Sequence, residues 1–90
     1  MGAAAVSKFD RQIGRNVFDI LAERNMTQSE LSRLLDEPVI RTNRHVNGKL
    51  GFKAEDIYRI SKALGVSLES LMEGCDDQKE HVKEADRAWS

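Results

Sequence analysis

The stretch at residues 27–49, TQSELSRLLDEPVIRTNRHVNGK, contains the signals that decide the fold. At its start the Thr27 hydroxyl can accept a hydrogen bond from the amide of Glu30, while the Glu30 side chain accepts one from the amide of Thr27. This reciprocal pair is the capping box that begins a helix. Pro38 ends that helix, because proline disfavours the helical conformation in the preceding residue, yet it is tolerated in the first turn of another helix. The stretch therefore predicts two short helices joined by a tight turn.

The second of these helices is polar and basic. It is expected to begin at Glu37 or Pro38 and to continue to about Val46. Asn47 and Gly48 follow, and glycine readily takes the positive φ that ends a helix. On a helical wheel, Val39, Thr42 and Val46 form the buried stripe of this helix, and Arg41 and Arg44 lie opposite.

Positive charge is concentrated at residues 38–54, which contain four cations and no acid: Arg41, Arg44, Lys49 and Lys53. The net charge of −1 hides an asymmetry, since residues 1–68 carry 11 basic and 8 acidic side chains, whereas residues 69–90 carry 3 and 7. Uninterrupted positive charge suits a polyanion, because each cation that neutralises a phosphate releases a counterion. A solvated surface that lacks acids by chance is an equally weighted alternative on charge alone.

Apolar periodicity predicts three further helices. The first is amphipathic and covers residues 10–24, the fourth covers residues 53–64 before Gly65, and a short fifth is capped by Ser67. No alternating run of strand length and no internal repeat is present, so the fold class is all-α, a compact bundle of five helices. The expected buried side chains are Ile13, Val17, Ile20 and Leu21 in the first helix, Leu31, Leu34 and Leu35 in the second, Ile57, Ile60 and Leu64 in the fourth, and Leu68, Leu71 and Met72 in the fifth.

A charged segment after residue 73 marks a boundary. We divide the chain into an N-terminal arm at residues 1–9, a folded domain at residues 10–73, and an acidic tail or helix at residues 74–90. Within the tail, Val82, Ala85 and Trp89 have the spacing of one helix face. The tail either frays in solvent or forms a sixth helix that docks on the core or on a second subunit. Trp89 supports the second interpretation, since a large aromatic side chain is costly to leave in water.

Length and composition exclude several classes of protein. Ninety residues make one domain, and 40% apolar content allows it to fold. No apolar run approaches the ~20 residues of a membrane span, and the N-terminus is unlike a secretory signal, so a cytoplasmic protein is expected. The single Cys75 cannot form an intramolecular disulfide, and with His45 and His81 alone no zinc cluster is expected. No metal, cofactor or small-molecule ligand is expected.

Asp36 and Glu37 are the only candidates for a catalytic acid pair in the turn. Adjacent turn acids without a nucleophile, glycine loop or metal partner are far more often caps, so an enzyme is not expected. For the same reason of missing partners, His45 is interpreted as a packed residue rather than a ligand.

Residues 27–49 resemble the helix-turn-helix of the Cro/C1-type (Xre-like) DNA-binding proteins of phages and bacteria. That family typically begins its second helix with Thr-Gln-x-Glu-Leu and ends its recognition helix in Asn-Gly or a similar pair. The sequence ISKALGVSLESLM at residues 60–72 resembles the end of the same domain, so the resemblance covers about residues 13–72. It implies a lambda-repressor-like five-helix bundle, with a possible extra C-terminal helix.

The resemblance implies that the recognition helix reads base edges in duplex DNA. Arg44 could donate to guanine and Asn43 to adenine, while Val39 or Ile40 could touch a thymine methyl group. Arg41 is added from the helical wheel. The residues expected to contact phosphates are Thr27 and Gln28 at the start of the second helix, together with Asn47, Lys49 and Lys53.

Five residues depart from the family pattern. Asp36 stands where glycine is usual, Glu37 where an apolar residue is usual, and Pro38 where a small capping residue is usual. Thr42 and His45 occupy positions that are normally more apolar. These departures predict a recognition helix that is tilted or that starts one residue out of register.

The function expected from these features is sequence-specific regulation of transcription, as a repressor that occupies its operator as a homodimer. Val82, Ala85 and Trp89 are expected to contribute to the dimer contact. The alternative is an antitoxin-type module in which the tail from Gly74 to Ser90 binds a partner protein.

Overall fold

The computed structural model describes residues 6–75, and this part of the chain contains five helices and no strand. The prediction of an all-α bundle is therefore confirmed. No helix within this range is both long and apolar enough to cross a membrane. The helices are α1 (Lys8–Glu23), α2 (Gln28–Leu35), α3 (Val39–Val46), α4 (Ala54–Leu64) and α5 (Leu68–Leu71).

Helix α1 begins two residues earlier than predicted. The Ser7 hydroxyl accepts a hydrogen bond from the amide of Asp10 at 3.0 Å, which caps the helix before Lys8. Phe9 consequently belongs to the helix and packs against the core, although the sequence placed it in an N-terminal arm. After the helix, Asn25 takes the left-handed conformation, with φ of 54°.

Helix α2 begins with the predicted capping box. The amide of Thr27 donates to Glu30 Oε1 at 2.9 Å, and the amide of Glu30 donates to Thr27 Oγ1 at 3.0 Å. The helix ends at Asp36, which has a left-handed backbone with φ of 57°. The next amide, that of Glu37, donates to the carbonyl of Ser32 at 3.0 Å and closes the last turn. The two turn acids therefore end a helix, as predicted, and Asp36 takes the left-handed conformation for which glycine is usual.

Helix α3 begins at Val39, one residue later than Pro38 and two later than Glu37. Pro38 is the N-cap, with an extended backbone, and its carbonyl accepts from the amide of Arg41 at 3.0 Å. The helix ends before Asn47, and Gly48 takes a positive φ of 75° as expected.

The core is formed by one apolar face of each helix. Eight of the thirteen positions predicted for the core in α1, α2, α4 and α5 are buried, and Ile20 and Ile57 lie at its edge. The residues of the core are Ile13, Val17, Leu21, Leu31, Leu35, Val46, Ile60, Leu64, Leu71 and Cys75. Because Cys75 is among them, the packed unit extends past residue 73, where the sequence placed the boundary.

The prediction that Leu34 is buried is wrong, since 56% of it is exposed. Helix α2 instead buries Ser32 beside Leu31 and Leu35. The Ser32 hydroxyl donates to the carbonyl of Ser29 at 2.7 Å, so its polar group is satisfied without water and the small side chain fits against the neighbouring helices. Leu34 lies on the flank of that face.

The predicted burial of Leu68 and Met72 in α5 is also not found, because 46% and 37% of these residues are exposed. Only Leu71 of this helix is fully buried, and its carbonyl accepts a hydrogen bond from Asn16 Nδ2 at 2.7 Å.

Helix α1 meets the end of α3 at Gly14, where the two backbones are in direct contact. A Cβ added to Gly14 would lie 2.5 Å from the carbonyl oxygen of His45 and 3.0 Å from that of Val46. A glycine is required at this position because any side chain would separate the two helices. The contact fixes the position of the C-terminal half of α3 against α1.

Candidate nucleic-acid interface

One face of helix α3 is exposed to solvent and carries both apolar and polar side chains. Val39 and Ile40 are 45% and 61% exposed, and Asn43, Arg44 and Asn47 are also exposed. Four of the five residues predicted to read bases therefore share this surface. The helical wheel was wrong about Val39, which it assigned to the buried stripe.

The reason for that error is the burial of His45. The buried side chains of α3 are Thr42, His45 and Val46. At 100° per residue these place the centre of the buried face close to Thr42, and Val39 lies roughly 70° from it. Because the imidazole of His45 is polar, the helical wheel did not assign it to the buried face. The predicted buried face was therefore displaced toward Val39.

Three side-chain amides form a chain across the start of α2 and the end of α3. Asn43 Nδ2 donates to Gln28 Oε1 at 3.1 Å, and Asn47 Nδ2 donates to Asn43 Oδ1 at 3.1 Å. The structure thus brings the predicted base-reading Asn43 together with two predicted phosphate contacts, Gln28 and Asn47. Each primary amide has two N–H groups and two acceptor lone pairs, so Asn43 keeps one donor and one acceptor site for a ligand.

Arg41 does not join this surface, although the helical wheel placed it beside Arg44. Its Nε lies 3.4 Å from Glu37 Oε1, and its Nη2 lies 3.5 Å from Asp56 Oδ1. The guanidinium therefore connects the turn before α3 to the first turn of α4.

Glu37 and Thr42 explain how polar residues replace the apolar ones of the family. Thr42 is only 2% exposed, and its hydroxyl donates to Glu37 Oε2 at 2.8 Å. The other Glu37 oxygen faces Arg41. The departures at Glu37 and Thr42 therefore compensate each other. This network is absent from the contacts predicted above, although the spacing of Glu37 and Arg41, four residues apart, is a sequence signal for it.

His45 is packed inside the domain, as predicted. Its ring stacks on Phe52 with 4.5 Å between centroids, and Nε2 lies 4.0 Å from Asp56 Oδ2. Neither ring nitrogen makes a hydrogen bond within residues 6–75. Burial lowers the pKa of His45, and the nearby Asp56 carboxylate offsets part of that effect. Burial therefore favours the neutral imidazole.

The remaining cations of the acid-free stretch lie on the surface. Arg44, Lys49 and Lys53 are exposed, and none of them forms an ion pair with another described residue. The amide of Lys53 donates to Asp56 Oδ2 at 2.9 Å, which begins α4 and leaves the lysine side chain in solvent. Thr27 is exposed at the start of α2, and its hydroxyl is occupied by the capping box.

Two short helices joined by a tight turn, with the second helix packed on one side and polar on the other, define a helix-turn-helix domain. The sequence matches the family of Cro/C1-type HTH DNA-binding domains over residues 17–77, and the chain belongs to this family. No curated protein matches the chain.

Proposed function

We propose that this protein is a repressor of transcription that binds a specific operator in duplex DNA as a symmetric dimer, in the bacterial cytoplasm. The observation that carries the proposal is the division of α3 into two faces. One face is packed through Thr42, His45 and Val46, whereas the other exposes Asn43 and Arg44. A helix held rigidly on one side can present side chains to the major groove in a fixed geometry.

Arg44 and Asn43 read bases in this proposal. Arg44 forms no ion pair with the described residues, so its guanidinium is available for two hydrogen bonds to guanine. Asn43 is held by Gln28 and Asn47, which orients its amide toward adenine. Val39 and Ile40 supply apolar contact with thymine methyl groups. Arg41 acts through Glu37 and Asp56 as a positioning residue.

The phosphate contacts lie on both sides of α3. Thr27 and Gln28 begin α2, where the first amides of the helix and its dipole favour a negative charge. Asn47, Lys49 and Lys53 follow α3, and both lysines are exposed. Contacts to phosphates position a protein on DNA without reading its sequence.

A dimer is proposed because one recognition helix reads too few base pairs to select a single operator. Two such helices must lie about 34–36 Å apart to enter successive major grooves on one side of the duplex. The predicted dimer residues Val82, Ala85 and Trp89 lie outside the described residues. A self-complementary contact through them remains our proposal.

The exposed Leu68 and Met72 of α5 offer a rival dimer surface, and substitution distinguishes the two. Trp89→Ala is expected to lower the dimer fraction in sedimentation velocity runs at micromolar concentration, whereas Met72→Ser is expected to leave it unchanged. The opposite pattern would assign the dimer contact to α5.

Selection of bound sites from a pool of random duplex DNA tests the proposed function directly. We expect enrichment of one sequence with two inverted half-sites about 10 base pairs apart, centre to centre. Enrichment of a single half-site would exclude the symmetric dimer. Absence of any enriched sequence, with binding equal on all duplexes, would overturn operator recognition.

A further inference from the structure

A surface groove of about 640 Å³ lies between α1 and the residues that follow α3. On the α1 side its lining includes three cations, Lys8, Arg11 and Arg15, and one carboxylate, Asp19. Among the described residues, no side-chain hydrogen bond or ion pair is formed by Lys8 or Arg15. Arg11 donates from Nη1 to the carbonyl of Val6 at 2.8 Å. The groove therefore contains positive charge that the fold does not neutralise.

The spacing of the three cations places them on one side of α1. Residues 8, 11 and 15 are separated by three and four positions, which is the spacing of neighbours on a helix surface. Their Cα atoms span about 10 Å along the helix axis, at 1.5 Å per residue. Such a row is long enough to face more than one phosphate, because each strand of duplex DNA carries one phosphate per about 3.4 Å of helix axis.

The groove is continuous with the surface that follows the recognition helix. Asn47 and Gly48 line its opposite wall. Arg11 packs directly on Gly48, because a Cβ added to that glycine would lie 3.1 Å from Arg11 Cγ. The cations of α1 thus line the same groove as Asn47, which is itself a proposed phosphate contact.

We propose that Lys8, Arg11 and Arg15 bind the phosphate backbone of DNA and extend the interface of the helix-turn-helix onto α1. This inference rests on the proposed DNA-binding function and enlarges its footprint. The cations act on any sequence, because they contact phosphates and not base edges.

The groove also contains Phe9 and Phe18, and Phe18 is 53% exposed. This apolar part would suit a protein partner or a second copy of the chain. Three cations against one acid, next to the end of the recognition helix, favour the phosphate backbone. The protein partner is an outcome of the test.

The test measures how the binding constant for duplex DNA depends on salt. The observed slope of log K against log salt falls by about 0.9 for each phosphate contact that is removed. We expect Lys8→Gln and Arg15→Gln each to reduce the slope by about 0.9, on the selected operator and on random duplex alike. The double variant is expected to reduce it by about 1.8. Lys62→Gln on α4, which removes the same charge outside the groove, is the control and is expected to leave the slope unchanged.

Lys8 and Arg15 are chosen because their side chains support no described contact, so the variants should fold, and a thermal melt verifies this. Arg11→Gln is added as a third variant and is interpreted only if its melting temperature equals that of the wild type. A salt slope that stays at the wild-type value in the folded double variant overturns the proposal. If the same variant changes the sedimentation coefficient without changing the slope, the groove is a protein contact. A wild-type chain that binds no duplex DNA would instead refute the proposed function itself.

Discussion

The direct contact between α1 and α3 makes Gly14→Ala the most informative single substitution in this domain. The new Cβ would lie 2.5 Å from the carbonyl oxygen of His45, whereas ordinary contact begins at 3.4 Å, so the helices must separate by about 0.9 Å. The obstruction is backbone, which cannot rotate away. We therefore take the upper end of the usual cost of overpacking, about 3 kcal/mol.

An opposing term reduces this cost. Alanine is favoured over glycine inside a helix by about 1 kcal/mol, so the net loss of unfolding free energy is about 2 kcal/mol. In a domain of this size that loss lowers the melting temperature by roughly 8–16 °C. Urea unfolding followed by circular dichroism measures the free energy. The matched control is the pair Arg15→Ala and Arg15→Gly, whose difference reports the helix term at the neighbouring exposed position.

The sign of the change in unfolding free energy shows whether α1 and α3 are in direct contact at Gly14. If the contact were looser than described, Gly14→Ala would keep only the favourable helix term and would stabilise the protein by about 1 kcal/mol. A stabilised variant would thus refute the close approach of α1 and α3. A destabilised variant should also bind DNA more weakly than its folded fraction accounts for, since the shift moves the end of the recognition helix.

Three further outcomes are expected. Arg44→Ala should relax preference at one base pair per half-site by about 1–3 kcal/mol in a mutated-operator series, and uniform weakening on all sequences would make Arg44 a phosphate contact. Asp36→Gly should raise the unfolding free energy by about 1 kcal/mol, because Asp36 has a left-handed φ of 57°, which glycine adopts without steric cost. Asp36→Ala should not raise it. Equal effects of the two substitutions would show that the backbone conformation carries no cost. Because the pKa of His45 is lowered in the folded protein, the unfolded chain binds a proton more readily. The stability due to this residue is therefore complete above about pH 6.5 and is lost as the pH falls through the folded pKa. The unfolding free energy should fall with a slope of up to about 1.4 kcal/mol per pH unit. His45→Leu should abolish that part of the pH dependence, and an unchanged profile would assign it to other groups.

Local chemistry made the helices of this domain predictable. Helix boundaries are set by residues close together in the sequence, such as the capping box at Thr27, Asn25 after α1 and the glycine after α4. Each of these signals is therefore visible in a short stretch of sequence. The start of α1 carried the same kind of signal in Ser7 and Asp10, three residues apart. This signal lies outside the apolar periodicity of α1, which begins only at Ile13.

Contacts between distant residues explain what sequence alone could not supply. The burial of His45 depends on Phe52, and the orientation of Arg41 depends on Asp56. Neither partner is marked by spacing or type. The same holds for Gly14, whose role is visible only once α3 is in place against it. The family resemblance located the exposed face of α3 more accurately than periodicity did, as Val39 shows.

The network around Glu37 has a consequence for re-engineering. Helix α3 consists of two interleaved sets of positions, one that faces outward at 39, 40, 43 and 44, and one that holds the helix at 41, 42, 45 and 46. A graft of foreign specificity should therefore exchange the outward set alone. Transplanting a whole recognition helix from a relative with an apolar interior would leave the Glu37 carboxylate buried without Arg41 and Thr42, and the hybrid would lose stability before any new operator could be read.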